Sequence, residues 1–168
     1  MENWVRARGR SSDNDWNTPK YIWDKLMPHI PKKKDIWCPF YNDGASGDYL
    51  ASCDLKVIHK PEDFWETMYD DVVVIDNPPY RIKSIVKLKY KIMLRLLENK
   101  IPFMLLFPST TIQTQYFKKL VDEYGKFQII CPNEKYDFVK RDGSGGKCLF
   151  YTLWICWNMD LPKDFISL

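Results

Sequence analysis

Apolar and polar residues alternate in blocks along the chain, and the blocks switch between two periods. Short apolar runs bounded by polar or turn residues fall at 35–40, 55–58, 72–75, 102–107, 127–130 and 149–157, and each fits a buried strand. Between them the spacing widens. Ile85, Leu88, Ile92 and Leu96 form one stripe through residues 84–98, flanked by Val86, Met93 and Leu97, which predicts an amphipathic helix. Gln115–Tyr124 predicts another, closed at Gly125. A short helix is expected after Thr18-Pro19, since Thr caps well and Pro fits a first turn. It would carry Tyr21, Ile22, Trp23, Leu26 and Met27. A further short helix is expected around Tyr49-Leu50-Ala51, and a weak helix or loop over 64–69.

Strands alternating with helices predict an α/β domain, a parallel sheet with helices on both faces. The last two strands follow one another with no helix between, so the final strand is expected to be antiparallel and residues 158–168 a tail. Residues 1–15 are polar and carry Arg6, Arg8 and Arg10, the pattern of a flexible basic arm. Residues 16–168 are expected to form a single domain, which suits a chain of 168 residues.

Composition narrows the picture. Hydrophobic residues make up 45% and charged residues 28%, so a globular rather than a disordered chain is expected. The formal net charge is only +3; affinity for nucleic acid would have to come from local clustering. The cysteines, Cys38, Cys53, Cys131, Cys148 and Cys156, are odd in number and scattered. Neither they nor His29 and His59 have metal-ligand spacing. Reduced cysteines, an intracellular compartment and no metal are the expectation. The charged N-terminus is unlike a signal peptide, and the apolar run at 149–157 is about half the ~20 residues of a spanning helix, so no membrane segment is expected.

The chemistry concentrates in VVVIDNPPYRIK, residues 72–83. Two prolines forbid helix and strand pairing directly beyond the apolar run. The chain thus enters a stiff turn at the carboxyl edge of a sheet, where open α/β sheets bind ligands. Asn77 offers a side-chain carbonyl, and Pro78 a backbone carbonyl whose direction Pro79 fixes. Two adjacent acceptors can grip both hydrogens of a conjugated amine and favour a pyramidal nitrogen with its lone pair exposed. Tyr80 can stack on the planar group that bears the amine, as enzymes acting on extruded bases require.

Other segments are less specific. NDGASG, residues 42–47, is a glycine-bearing strand-to-helix turn that would let backbone approach a nucleotide-like ligand, and an ordinary turn would use the same residues. RDGSGGK, residues 141–147, precedes a strand and lacks phosphate-loop spacing; a flexible connector is expected. Asp63-Phe64 offers either an acid and a ring for a purine, or a helix cap and a core side chain. Lys83, Lys87, Lys91 and Arg95 recur every four residues, a stripe that suits either phosphate contacts or an ordinary solvated helix face.

VVVIDNPPY resembles the catalytic motif of class I S-adenosylmethionine-dependent amino-methyltransferases, most of all the small phage- and virus-type N6-adenine methyltransferases. Trp16-Asn17-Thr18-Pro19 is similar to the W-x-T-P segment with which those enzymes begin their cofactor contacts. WCPFYNDGASG, residues 37–47, resembles their first cofactor motif. Asp63-Phe64 matches their acidic-aromatic contact to the cofactor adenine, and Lys135 to Phe138 a late motif that walls the target-base pocket. The likeness spans roughly residues 16–157. Cys38 stands where the family usually has an acid before Pro-Phe, and Asn42 where it usually has glycine. The lost charge-assisted contact to the methionine ammonium, roughly 1.5–3 kcal/mol, implies that Cys38→Asp tightens cofactor binding.

The resemblance implies a Rossmann-like methyltransferase fold with a seven-stranded mixed sheet, the last strand antiparallel. It implies S-adenosyl-L-methionine held by Trp16, Asn17, Thr18, Pro19, Cys38, Pro39, Phe40, Asp43, Gly44, Asp63 and Phe64. Asn77, Pro78, Pro79 and Tyr80 would carry catalysis, and Tyr80, Lys83, Lys87, Lys91 and Phe138 would meet the substrate. That substrate would be a flipped or unpaired adenine of DNA or RNA, and a homodimer or a partner subunit would supply target recognition. Two alternatives share the motif: an inactive nucleic-acid-binding or scaffolding subunit, and a protein glutamine N-methyltransferase.

Overall fold

Every residue of the strand Val72–Asp76 is buried, which a strand achieves only when both faces of its sheet are covered. A computed structural model of the chain describes residues 16–82, 85–140 and 144–168; the arginine arm and Lys83 lie outside the described residues. The elements are β1 (Trp16–Asn17), α1 (Lys20–Leu26), β2 (Asp35–Trp37), α2 (Ala45–Ser52), β3 (Val57–Ile58) and β4 (Val72–Asp76). They continue with α3 (Leu88–Glu98), β5 (Phe103–Pro108), α4 (Gln115–Tyr124), β6 (Phe127–Cys131), β7 (Asp137–Lys140), β8 (Gly145–Lys147), β9 (Thr152–Trp157) and β10 (Phe165–Ser167).

Seven strands form one mixed sheet in the order β10-β6-β9-β5-β4-β2-β3. β9 runs antiparallel to both β5 and β6, and the other pairs are parallel. Side chains alternate across the sheet. Val72 and Val74, Phe103, Leu105 and Phe107, and Leu153 and Ile155 pack with Ile92, Met93 and Leu96 of α3 and Phe117 and Leu120 of α4. Val73 and Ile75, Met104 and Leu106, and Trp154 pack on the other face with Ile22, Trp23 and Leu26 of α1 and Leu50 of α2. Helices cover both faces. β2 lies between β3 and β4, so the winding reverses between β2 and β4, and their carboxyl ends lie side by side at the edge where open α/β sheets form a ligand crevice.

The expected elements shift in informative ways. The first strand stops at Trp37 instead of residue 40, because Pro39 has no donor for the ladder. The long helix begins at Leu88 rather than Ser84: Lys87 takes a left-handed φ of 56°, and an Ile82–Ile85 bridge occupies the preceding turn. The connector over 141–147 ends in β8, which pairs with β7, while β7 pairs with β1 to give a second, three-stranded antiparallel sheet. The last apolar run enters the sheet only at Thr152, leaving Leu149, Phe150 and Tyr151 exposed.

The largest correction is at the carboxyl terminus. The segment 158–168 is not a tail: β10 joins the sheet parallel to β6, so the antiparallel strand is the penultimate one. The buried Gln128 steers it there. Its amide donates to the carbonyls of Leu161 and Lys163 and accepts from Leu161 N, which turns the chain back alongside β6. No helix among the described residues is long and apolar enough to cross a membrane.

Candidate active site

Two loops meet at the crevice, one leaving β2 and one leaving β4. Asp76, the last residue of β4, is 3% exposed. Its carboxylate accepts from Phe40 N at 2.7 Å and from Asn77 N at 2.8 Å, so a single buried acid ties the two loops together. A carboxylate is affordable there only because backbone donors satisfy it. Cys38 is buried beneath, donating its thiol to the Ile75 carbonyl at 3.3 Å. Burial and then the nearby Asp76 charge hold the Cys38 thiol well above its usual range, so it remains neutral.

Thr18, which precedes α1, reaches the same place. Asn77 Nδ2 donates to Thr18 Oγ1 at 3.0 Å. With its nitrogen fixed, Asn77 leaves Oδ1 buried and without a donor. Pro78 is buried and Pro79 half-buried in the turn that follows. Tyr80 lies half-buried, its ring 6.3 Å from Phe107 and 5.9 Å from Phe150, the latter edge to face. Its hydroxyl is screened from solvent and unpaired, and burial pushes it up in pKa.

The glycine turn adjoins this group. Asp43 accepts from Asn17 Nδ2 at 2.6 Å and from Ala45 N at 3.0 Å, and Asn42 donates to the Trp16 carbonyl and to Asn17 Oδ1. Asn42 takes φ 49°, a conformation Asn tolerates. Gly44 takes φ 86°, and a Cβ there would lie 2.8 Å from Tyr41 Oη. Beyond it, Tyr41 stacks on His59 at 5.8 Å, and His59 Nδ1 is buried without a partner. Phe64 packs 5.1 Å from Phe40 and 5.9 Å from Trp37. Asp63 begins a turn by accepting from Trp65 N at 2.8 Å.

The fold therefore brings Trp16 to Thr18, Phe40 to Gly44 and Asn77 into one bonded group, and sets Phe64 against Phe40. Phe138 follows the β1–β7 pairing, next to the Val139 that faces Asn17, and its side chain is buried in the second core layer with Tyr136 and Cys38. Arg95 does not continue a solvated stripe: its guanidinium sits 5.6 Å over the Phe64 ring and donates to the carbonyls of Phe64 and Thr67. Lys87 and Lys91 are exposed, and Lys83 lies outside the described residues. Reading the sequence missed Asp76 and His59. The signal for Asp76 was available: an acid that ends an all-apolar run must find buried donors. Nothing local marks His59, whose place depends on α2 packing against β3.

No protein-family model matches the chain and no curated protein matches it, so the functional reading stands on this geometry and on the motif that produces it.

Proposed function

We propose that the chain is an S-adenosylmethionine-dependent methyltransferase acting on the N6 amine of adenine in DNA or RNA. The observation that carries this reading is the unpaired Asn77 Oδ1, turned away from Thr18 by the bond its nitrogen makes. A buried acceptor left unmade costs about 1–3 kcal/mol, and an amino hydrogen of a substrate would remove that cost. The Pro78 carbonyl would take the second hydrogen. Tyr80 would present its ring to the base, and its packing on Phe107 and Phe150 holds that ring in place before substrate arrives. A mixed sheet with one antiparallel strand, and a winding reversal at the crevice, supports a Rossmann-like methyltransferase fold.

The residues present suit the cofactor. Asp43 is exposed and keeps acceptor capacity beyond the two bonds it makes, so it would hold the methionine ammonium in place of the acid missing at Cys38. Phe40, Asp63, Phe64 and the unpartnered His59 Nδ1 would hold the adenosine end. S-adenosylmethionine supplies an electrophilic methyl group on a sulfonium. Asn77 and Pro78 would hold the amine so that its lone pair meets that methyl group, and the proton given up on transfer would pass to solvent.

The buried Cys38 favours a second reading, a non-catalytic nucleic-acid-binding subunit, because no carboxylate stands at that position. Calorimetry combined with turnover separates the two. Asn77→Ala is expected to bind S-adenosylmethionine as the wild type does and to lose transfer by about 100-fold or more. Near-normal transfer would contradict the mechanism, and absence of cofactor binding in the wild type would favour the subunit.

A further inference from the structure

Beside Tyr80 lies a cleft of about 370 Å³, lined among others by Arg81, Ile85, Val86, Lys87, Lys89 and Tyr116. Three of its described lining residues are basic and none is acidic. It also faces the start of α3, whose first-turn amides have no helical acceptor. Lys89 is half-buried and makes no ion pair among the described residues, and burial holds its pKa down. The hydroxyl of Tyr80 is buried and unpaired. That of Tyr116 is screened beside the hydroxyls of Thr111 and Thr114. The lining also includes apolar side chains: Ile82, Ile85 and Val86, the last 72% exposed.

We propose that this cleft holds the nucleotide flanking the target adenine in an unpaired strand, its phosphate on Lys87 and Lys89 and its base against Ile85, Val86 and Tyr116. The assignment of the neighbouring nucleotide as the target rests on the methyltransferase reading. The volume lies at the lower end of ligand pockets, about 300–1,000 Å³, which suits one nucleotide rather than a duplex. An apolar surface rewards a base face, and a base face is free only where the strand is unpaired. Cations lining the same cleft as that apolar surface give the combination by which single strands are bound.

The test is binding of a fluorescein-labelled single-stranded oligodeoxyadenylate by anisotropy across a salt series, without S-adenosylmethionine. Lys87→Gln with Lys89→Gln is expected to lower affinity about tenfold and to reduce the slope of log affinity against log salt by about 0.7, the value for one phosphate of a single strand. Lys163→Gln, outside the cleft, should change neither beyond a small uniform effect. Val86→Ser should weaken binding of the oligodeoxyadenylate but not of an abasic oligomer of the same length. Tyr116→Leu, which removes the aromatic face, should do the same. Thermal melting of each variant verifies folding.

Equal affinity and slope in the double lysine variant would overturn the proposal. So would insensitivity to Val86→Ser, or binding of adenosine monophosphate as tight as that of the oligomer, which would make the cleft a mononucleotide site. The readout needs no methyl transfer. Lysine-dependent binding without transfer would therefore fell the catalytic reading alone, and transfer without lysine-dependent binding would fell this one.

Discussion

Asp76 and Cys38 sit side by side beneath the crevice, one satisfied by two amides and the other neutral. Those neighbours bear on the acid that the sequence suggests for position 38. An acid there would be a second carboxylate buried against Asp76. Cys38→Asp is expected to destabilise the fold by about 3–5 kcal/mol instead of tightening cofactor binding. The pH dependence follows from sign. Burial and Asp76 would raise the new carboxyl above its unfolded value of about 3.9, so the native state would keep a proton that the unfolded state releases. Stability relative to wild type should therefore fall as pH rises from about 4. Urea titrations at about pH 5 and about pH 8 check this. A variant as stable as wild type that binds S-adenosylmethionine more tightly would show that position 38 faces the cofactor. NPPY was legible because two prolines after an apolar run allow little else. The partners of its side chains were not, because Thr18 lies 59 positions away.

Elements were legible where both ends carried local signals. Gln115–Tyr124 is observed as expected because Thr114 caps Phe117 N and Gly125 ends it. The start of α3 was misplaced because apolar spacing continues through Ile85 while the backbone turns left-handed at Lys87. β8 and β10 have no apolar alternation to betray them; they form by pairing with β7 and β6, a tertiary effect. The docking of α2 on β3 shows the same dependence. Gly47 lies inside α2, where Ala would be favoured by about 1 kcal/mol, yet a Cβ would sit 2.3 Å from His59 Cγ. Gly47→Ala is expected to lower stability by about 1–3 kcal/mol, and His59→Ala in the same chain to restore most of that loss. Chemical denaturation of the two single variants and the double variant measures the coupling. Additive losses would mean that Gly47 and His59 do not meet.

At the scale of the molecule, the three-layer packing buries groups that ionise at high pH. Burial raises the thiols of Cys38 and Cys156 and the phenols of Tyr80 and Tyr136, the last to about 12. Above about pH 8.5 for thiols and about 10 for phenols, the unfolded chain loses protons that the native chain keeps. Stability should be fully present below those values and fall as pH rises, by up to about 1.4 kcal/mol per pH unit for each group. Denaturant midpoints between about pH 8 and about pH 11 test this; a flat profile would contradict the burial of these side chains. The same packing ties Asn77 to the glycine turn through Thr18, Asn17 and Asp76, and the central proposal is that an adenine amine is methylated there. The most direct measurement is mass spectrometry of nucleosides from DNA and RNA incubated with the protein and S-adenosylmethionine carrying an isotopically labelled methyl group. Labelled N6-methyladenine that disappears with Asn77→Ala is the predicted result. Bound cofactor with no labelled N6-methyladenine, or label appearing only on protein glutamine, would contradict the account.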